Sequence, residues 1–146
     1  MSLAIEADLI RRVPLFSAIE PAKQKLLCFS SERLTFEAGD VLFREGDAPD
    51  AAYVVIDGTV EITVQTSGGP QMVNTLGQSD VVGETAIFGE VPRTATATAK
   101  TRLEVLRVCK DLFLNVVRDN AETALHLNRI LATRLANTTA RLRAVS

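Results

Sequence analysis

The apolar residues of this chain change their period twice. Up to about Ser31 they recur at helical spacing. Ile5, Leu9, Ile10 and Val13 fall on one face, and Pro14 breaks the run because a proline has no backbone N–H and crowds the preceding turn. Leu15-Phe16 follows as an apolar plug. Glu20-Pro21 begins a second helix carrying Leu26, Leu27 and Phe29. From Leu34 to Val108 the period falls to two. Val60, Ile62 and Val64 alternate with Glu61, Thr63 and Gln65, the pattern of a half-buried strand. Asp57-Gly58 reads as a hairpin turn joining that strand to Tyr53-Val54-Val55-Ile56. Ser67-Gly68-Gly69-Pro70 reads as the next turn, before Met72-Val73-Asn74-Thr75-Leu76. Gly39-Asp40 and Gly46-Asp47 punctuate a first strand pair, Thr94 to Ala99 alternates Thr with Ala, and Leu103 to Val108 closes the run. Many short strands at regular spacing predict a barrel or jelly roll, and a closed barrel has the advantage of leaving no exposed edge. From Lys110 onward there is neither Gly nor Pro. Asp111 to Val117 predicts a short helix, and Asn120 caps a long one running to about Arg143.

Composition narrows the function classes. A chain of 146 residues is one domain, able to bury roughly two-thirds of its unfolded surface. Its 47% hydrophobic content fits a globular protein and argues against disorder. No apolar run approaches the ~20 residues that span a bilayer, so no membrane partner is expected. The N-terminus lacks the basic start and apolar stretch of a signal peptide. A net charge of -2 argues against nucleic-acid binding by this chain alone, which needs a basic face. Cys28 and Cys109 lie far apart among apolar residues without metal-ligand spacing. They read as small buried hydrophobes in a reducing cytoplasm. The single His126 has no motif around it, so neither a metal site nor a metal-dependent barrel is expected. No nucleophile–base pair is visible, and an enzyme is not expected.

The chemistry concentrates in one stretch. Gly83-Glu84-Thr85-Ala86-Ile87-Phe88-Gly89-Glu90-Val91-Pro92-Arg93-Thr94-Ala95 sets a carboxylate and a guanidinium nine residues apart, between strand-like sequences. Gly83 lets the backbone approach a ligand closely. The apolar residues after it allow one turn of helix, whose N–H groups suit an anion. Arg93 brings a planar fork that matches phosphate, and Glu84 can accept hydrogen bonds from sugar hydroxyls. Together they read as a site for a small ribose phosphate. Without a ligand, Glu84 and Arg93 would be a surface ion pair of little worth. The glycine, short helix and proline between them count against that reading.

These motifs resemble the cyclic nucleotide-binding domain family, of the kind found in the bacterial catabolite activator, the regulatory subunit of protein kinase A and cyclic nucleotide-gated channels. Gly39-Asp40-Val41-Leu42-Phe43-Arg44-Glu45-Gly46-Asp47 resembles the family's first strand pair, and Tyr53 through Val60 its next hairpin. Gly83-Glu84-Thr85-Ala86 through Pro92-Arg93-Thr94-Ala95 resembles its phosphate-binding cassette, with the Glu-to-Arg spacing of the kinase and channel branch. The resemblance implies an α+β fold: an eight-stranded β-roll or jelly-roll barrel over residues 33–109, with the cassette at 83–95. N-terminal helices over 1–32 and C-terminal helices over 110–146, including a long one, would flank it in a single domain over 1–146. It also implies roles. Arg93 would pair with the cyclic phosphate, Glu84 would accept from the ribose 2′-hydroxyl, and the amides of Gly83, Glu84, Thr85 and Ala86 would complete the anion site. Thr94, followed by Ala95, would add a hydroxyl near phosphate or base. Two residues depart from the pattern. Val82 stands where the family usually has Phe, and Ser79 where it usually has Gly, which puts the turn geometry there in question.

The last helix carries a second feature. Ala124, Asn128, Leu131, Leu135, Thr138, Leu142 and Val145 step by four and three, a heptad-like seam. The helix either packs on its own barrel or forms a homodimer seam like that of the catabolite activator; the pattern supports both. Aligned from Phe113, Thr138-Thr139 fall where the activator has a base-contacting hydroxyl pair. Arg134 falls near a position that some channel domains use against the purine. The resemblance thus implies a base cap from Arg134, Thr138 and Thr139, the last two only in a dimer. Without that role Arg134 is an exposed helix charge. The function expected is a stand-alone sensing module for cAMP or cGMP, held as a regulatory ligand with no cofactor. Its C-terminal helix would change position on binding and act on an unknown protein partner. The chain ends near the end of the long helix, which leaves no room for a helix-turn-helix. The alternatives are the truncated sensory half of a catabolite-activator-like transcription regulator, or a domain cut from a larger channel or kinase.

Overall fold

The computed structural model describes residues 10–13, 16, 17, 19–118 and 132. Among these described residues, eight strands and three helices follow residues 10–12, which are helical. They are α1 (Pro21–Ser30), β1 (Glu32–Phe36), β2 (Val41–Phe43), β3 (Ala51–Asp57), β4 (Val60–Thr66), β5 (Gly69–Leu76), β6 (Val81–Val82), α2 (Glu84–Gly89), β7 (Thr96–Ala99), β8 (Leu103–Cys109) and α3 (Lys110–Arg118). The strands form two antiparallel four-stranded sheets, ordered β1-β8-β3-β6 and β2-β7-β4-β5. This is the expected α+β jelly roll. Of the expected helix from Asn120 to about Arg143 only Ala132 is described, and its seam residues and His126 lie outside the described residues. Among the described residues, no helix is long and apolar enough to cross a membrane, and no His, Cys, Asp and Glu group could hold a metal.

Two layers of core account for the strand sequences. Between the sheets, Ala51, Tyr53 and Val55 of β3 meet Leu103 and Val105 of β8, with Phe43, Val60, Leu76, Ala97 and Ala99 from the other sheet. On the opposite face of β3 and β8, Ala52, Val54, Ile56, Leu106 and Val108 pack under the helices, against Ile10, Phe16, Leu27, Ile87 and Phe113. Both faces of β3 are therefore covered. That is why Ala51 to Ile56 is an unbroken apolar run while β4 alternates. Of the three large apolar residues on α1, Leu27 is buried, whereas Leu26 and Phe29 face outward.

Two expected pairings are not made. Asp57-Gly58 is not a hairpin turn, because β3 and β4 lie in different sheets. Both edges of β3 are already used, by β8 and β6, so the chain must leave its sheet. It turns the corner at Gly58, φ +99°, where an added Cβ would run into the Arg102 carbonyl. The corner is tied by Lys100 N–H donating to Thr59 O (2.9 Å) and Thr59 N–H donating to Thr101 Oγ1 (3.1 Å). Likewise β1 pairs with β8 and β2 with β7, so the first two strands are not partners. The Ser67-Gly68 turn does join a hairpin, with Thr66 opposite Gly69. Cys28 is buried as expected, but Cys109 is exposed, since it ends β8 past the last covered position.

Candidate functional site

The site forms where the turn after β2, the start of β3 and α2 come together. Gly83 precedes α2 with φ +89° and ψ 7°, a left-handed conformation that only glycine adopts without strain. It also stands against Arg93. A Cβ at Gly83 would lie 2.5 Å from Arg93 Nη1 and 3.1 Å from the Phe43 ring. α2 then closes after six residues through Glu90, itself left-handed, as Val91 N–H donates to Ala86 O (3.2 Å). The chain next returns to Arg93, whose backbone is clamped to the β2–β3 turn. Arg93 N–H donates to Asp47 O, and its own carbonyl accepts from Gly46 N–H, both at 2.8 Å.

The Arg93 side chain is held from four sides. Nη1 donates to Gly83 O and Nη2 to Ala51 O, each at 2.6 Å. The guanidinium lies over the Phe43 ring, 4.0 Å from its centroid, and that ring leans on Tyr53. Asp50 Oδ1 stands 3.5 Å from Nη2. The residue is only 3% exposed, and its Nε is buried without a hydrogen-bond acceptor. Burial lowers the Arg93 pKa below the usual arginine value, with Tyr53 and Asp50 pulling the other way. The group remains a cation, as arginine does in proteins.

Glu84 opens α2 and is 1% exposed. Neither Glu84 nor Arg93 is therefore a surface charge, and the ion-pair reading of a solvated Glu–Arg couple does not describe them. The structure brings Gly83, Glu84, Ala86 and Arg93 together. Thr85 and Thr94 are exposed, and Ala95 is half-buried on the way into β7. Arg134, Thr138 and Thr139 lie outside the described residues. Val82, in place of a larger residue, is 1% exposed and packs between the sheets. Ser79 takes a left-handed φ of +71° in the turn that carries the chain into β6. Gly77 N–H donates there to Asp80 Oδ2 (2.8 Å), and Ser79 N–H donates to Val55 O (2.9 Å).

Three residues of the site escape a reading of the sequence: Phe43, Asp50 and Tyr53. Phe43 and Tyr53 look like ordinary strand residues, and Asp50 like one more loop acid. Only Asp50 carries a local hint, since it stands directly before the apolar run of β3. Chemically, the arrangement is a buried planar cation beside a glycine turn, with a buried carboxylate on the same turn. It can hold an anion and neighbouring hydroxyls.

Comparison with known proteins gives the family and the fold. The family described as cyclic nucleotide-binding domain matches residues 33–120. The chain is 30% identical over 132 residues to a CRP-like cAMP-activated global transcriptional regulator of Mycobacterium tuberculosis, covering 90% of this chain and 59% of that protein. It is 36% identical over 104 residues to a cAMP-dependent protein kinase regulatory subunit of Yarrowia lipolytica, covering 71% of this chain and 27% of that one. The chain thus spans little more than half of one relative and about a quarter of the other. Among solved structures, it superposes on the sensor domain of the transcriptional regulator DNR from Pseudomonas aeruginosa with a TM-score of 0.81. The identity there is 26%, over 94% of this chain and 93% of that one.

Proposed function

The chain belongs to the cyclic nucleotide-binding domain family, and from that premise we propose that it is a sensing module that binds a cyclic purine nucleotide without turning it over. The observation that carries this is the buried Arg93. A guanidinium held by two carbonyls, stacked on Phe43 and keeping a buried Nε–H without a protein acceptor suits a phosphate. In this reading Arg93 pairs with the cyclic phosphate and Glu84 accepts from the ribose 2′-hydroxyl. The amides of Gly83, Glu84, Thr85 and Ala86 surround the anion, and Thr94, followed by Ala95, adds a hydroxyl near the phosphate or the base. Arg134, Thr138 and Thr139 would cap the base from the C-terminal helix, in a homodimer for the last two.

The ligand we favour is cAMP, because the relatives' names carry it. A hydroxyl at Thr94 would also suit the amino group of a guanine, so cGMP is the competing ligand. Binding would be read out by the C-terminal helices. Ile87 and Phe88 of α2 pack in one cluster with Phe113 of α3, and the rings of Phe88 and Phe113 lie 5.2 Å apart. A ligand moves such an element only by its differential affinity for the two positions. The output would pass to a protein partner in the cytoplasm.

A second reading has its own support. The 30% match to a cAMP-activated regulator extends over 90% of this chain but 59% of the regulator. The module then serves as the sensory part of such a regulator, with DNA contacts made elsewhere. Calorimetry with cAMP and with cGMP tests both readings at their common base. Heat of binding is expected for at least one nucleotide. No heat and no thermal shift at millimolar concentration would overturn the proposal, as would steady conversion to the linear monophosphate.

A further inference from the structure

Two guanidiniums converge on one carboxylate at the rim of the Arg93 site, and they do not share it equally. Asp50 Oδ2 accepts a hydrogen bond from Arg107 Nη2 at 3.0 Å, while its Oδ1 stands 3.5 Å from Arg93 Nη2. Arg107 sits on β8 between its register partners Glu32 of β1 and Tyr53 of β3. The Glu32 carboxylate lies 3.9 Å from its Nη1. The three side chains differ in freedom. Arg93 is enclosed at 1% exposure and Arg107 is half-buried, but Asp50 is 65% exposed and can move. Its position decides how much of the Arg93 charge is neutralised within the protein. Burial alone would lower the Arg107 pKa, yet Asp50 and Tyr53 outweigh it and leave it raised, whereas Arg93 ends lowered. Asp50 supports both cations, and its closer contact is with Arg107.

We propose that Arg107 is a positioning residue for the ligand site: by taking the closer hydrogen bond from Asp50 it keeps that carboxylate off Arg93, so that the Arg93 charge is left for the phosphate. This rests on the reading of Arg93 as the phosphate partner. Without Arg107, Asp50 closes on Arg93 Nη2, and an internal anion competes with the ligand's.

The test is a double-mutant cycle on the full chain, read as cAMP affinity by calorimetry, with circular dichroism and thermal melts to verify the fold. Arg107→Gln is expected to weaken cAMP binding about two- to fivefold, the scale of a solvent-screened charge pair. Arg107→Lys keeps a cation beside Asp50 and should restore most of that loss. Asp50→Asn should tighten binding, and in its background Arg107→Gln should have no further effect. Unchanged affinity in folded Arg107→Gln overturns the proposal, and so does an equal loss in the Asp50→Asn background, which marks a structural effect. If Arg107→Gln does not fold, Asp50→Asn decides alone: tighter binding supports the proposal, and weaker binding overturns it. If the native chain binds no cAMP, or Arg93→Ala binds as well as the native chain, the phosphate reading fails and the role of Arg107 falls with it. If those hold and the cycle shows no coupling, Arg107 alone is misassigned.

Discussion

At Arg93 a formal charge is buried in a setting that compensates it only in part. Two carbonyls and an aromatic face hold it, and the nearest carboxylate stays at 3.5 Å. Truncating such a group should cost more than truncating a hydrogen-bond acceptor for neutral hydroxyls. Arg93→Ala is expected to lose ~2–5 kcal/mol of cyclic nucleotide affinity. Glu84→Ala should lose less, ~1.5–3 kcal/mol. Titration of both variants by calorimetry checks the order; equal losses, or under tenfold for Arg93→Ala, would remove Arg93 from the phosphate. Ser79 allows a test on stability alone. Its φ of +71° strains an L-residue by ~1–2 kcal/mol, while glycine there brings back ~0.5–1 kcal/mol of chain entropy. Ser79→Gly should therefore stabilise the fold by roughly 0.5–1 kcal/mol in urea melts, with nucleotide affinity unchanged. Glu84, Arg93 and the Gly83 turn were legible in the sequence because their spacing is local. Phe43, Asp50 and Arg107 were not. Arg93 reaches Ala51 across 42 residues, and Arg107 reaches Asp50 across 57, and no pattern within a window reports such a contact.

Among the elements, α2 is the one that faces both ways. Its N-terminal end carries Gly83 and Glu84, and its apolar side enters the helical layer of the core through Ile87 and Phe88. Ile87 is fully buried, and the ring contact with α3 is made by Phe88. Phe88→Ala should separate binding from readout. We expect ~2–3 kcal/mol of stability loss, less than for a wholly buried ring. Nucleotide affinity should be near native, while the ligand-induced change in hydrogen exchange over residues 110–118 should disappear. An unaltered exchange response in that variant would place the coupling in another element. The strands themselves were legible from period-two alternation and glycine-marked turns, but their partners were not. Asp57-Gly58 carries hairpin chemistry and still turns a corner, because β3 has no free edge to offer.

For the molecule as a whole, ligand binding and folding are linked. Nucleotide at 100 times its dissociation constant should add about 2.7 kcal/mol to the unfolding free energy, visible as a raised melting temperature. The same concentration should add less than about 1 kcal/mol for Arg93→Ala. The pairing scheme has a further consequence, for the time before any ligand arrives. β1 waits for β8 and β2 for β7, so the first strands made are completed by the last. During synthesis Glu32 to Phe36 leaves the ribosome about seventy residues before Leu103 to Cys109 can zip against it, the separation seen between Arg33 and Glu104. Until then β4–β5, β3–β6 and the β7 pairings are within reach, but β1 and one edge of β3 have no partner. A nascent chain stalled at Lys100 should therefore be cut by protease at Glu32 to Phe36, and one lengthened far enough to bring Cys109 clear of the exit tunnel should become resistant there.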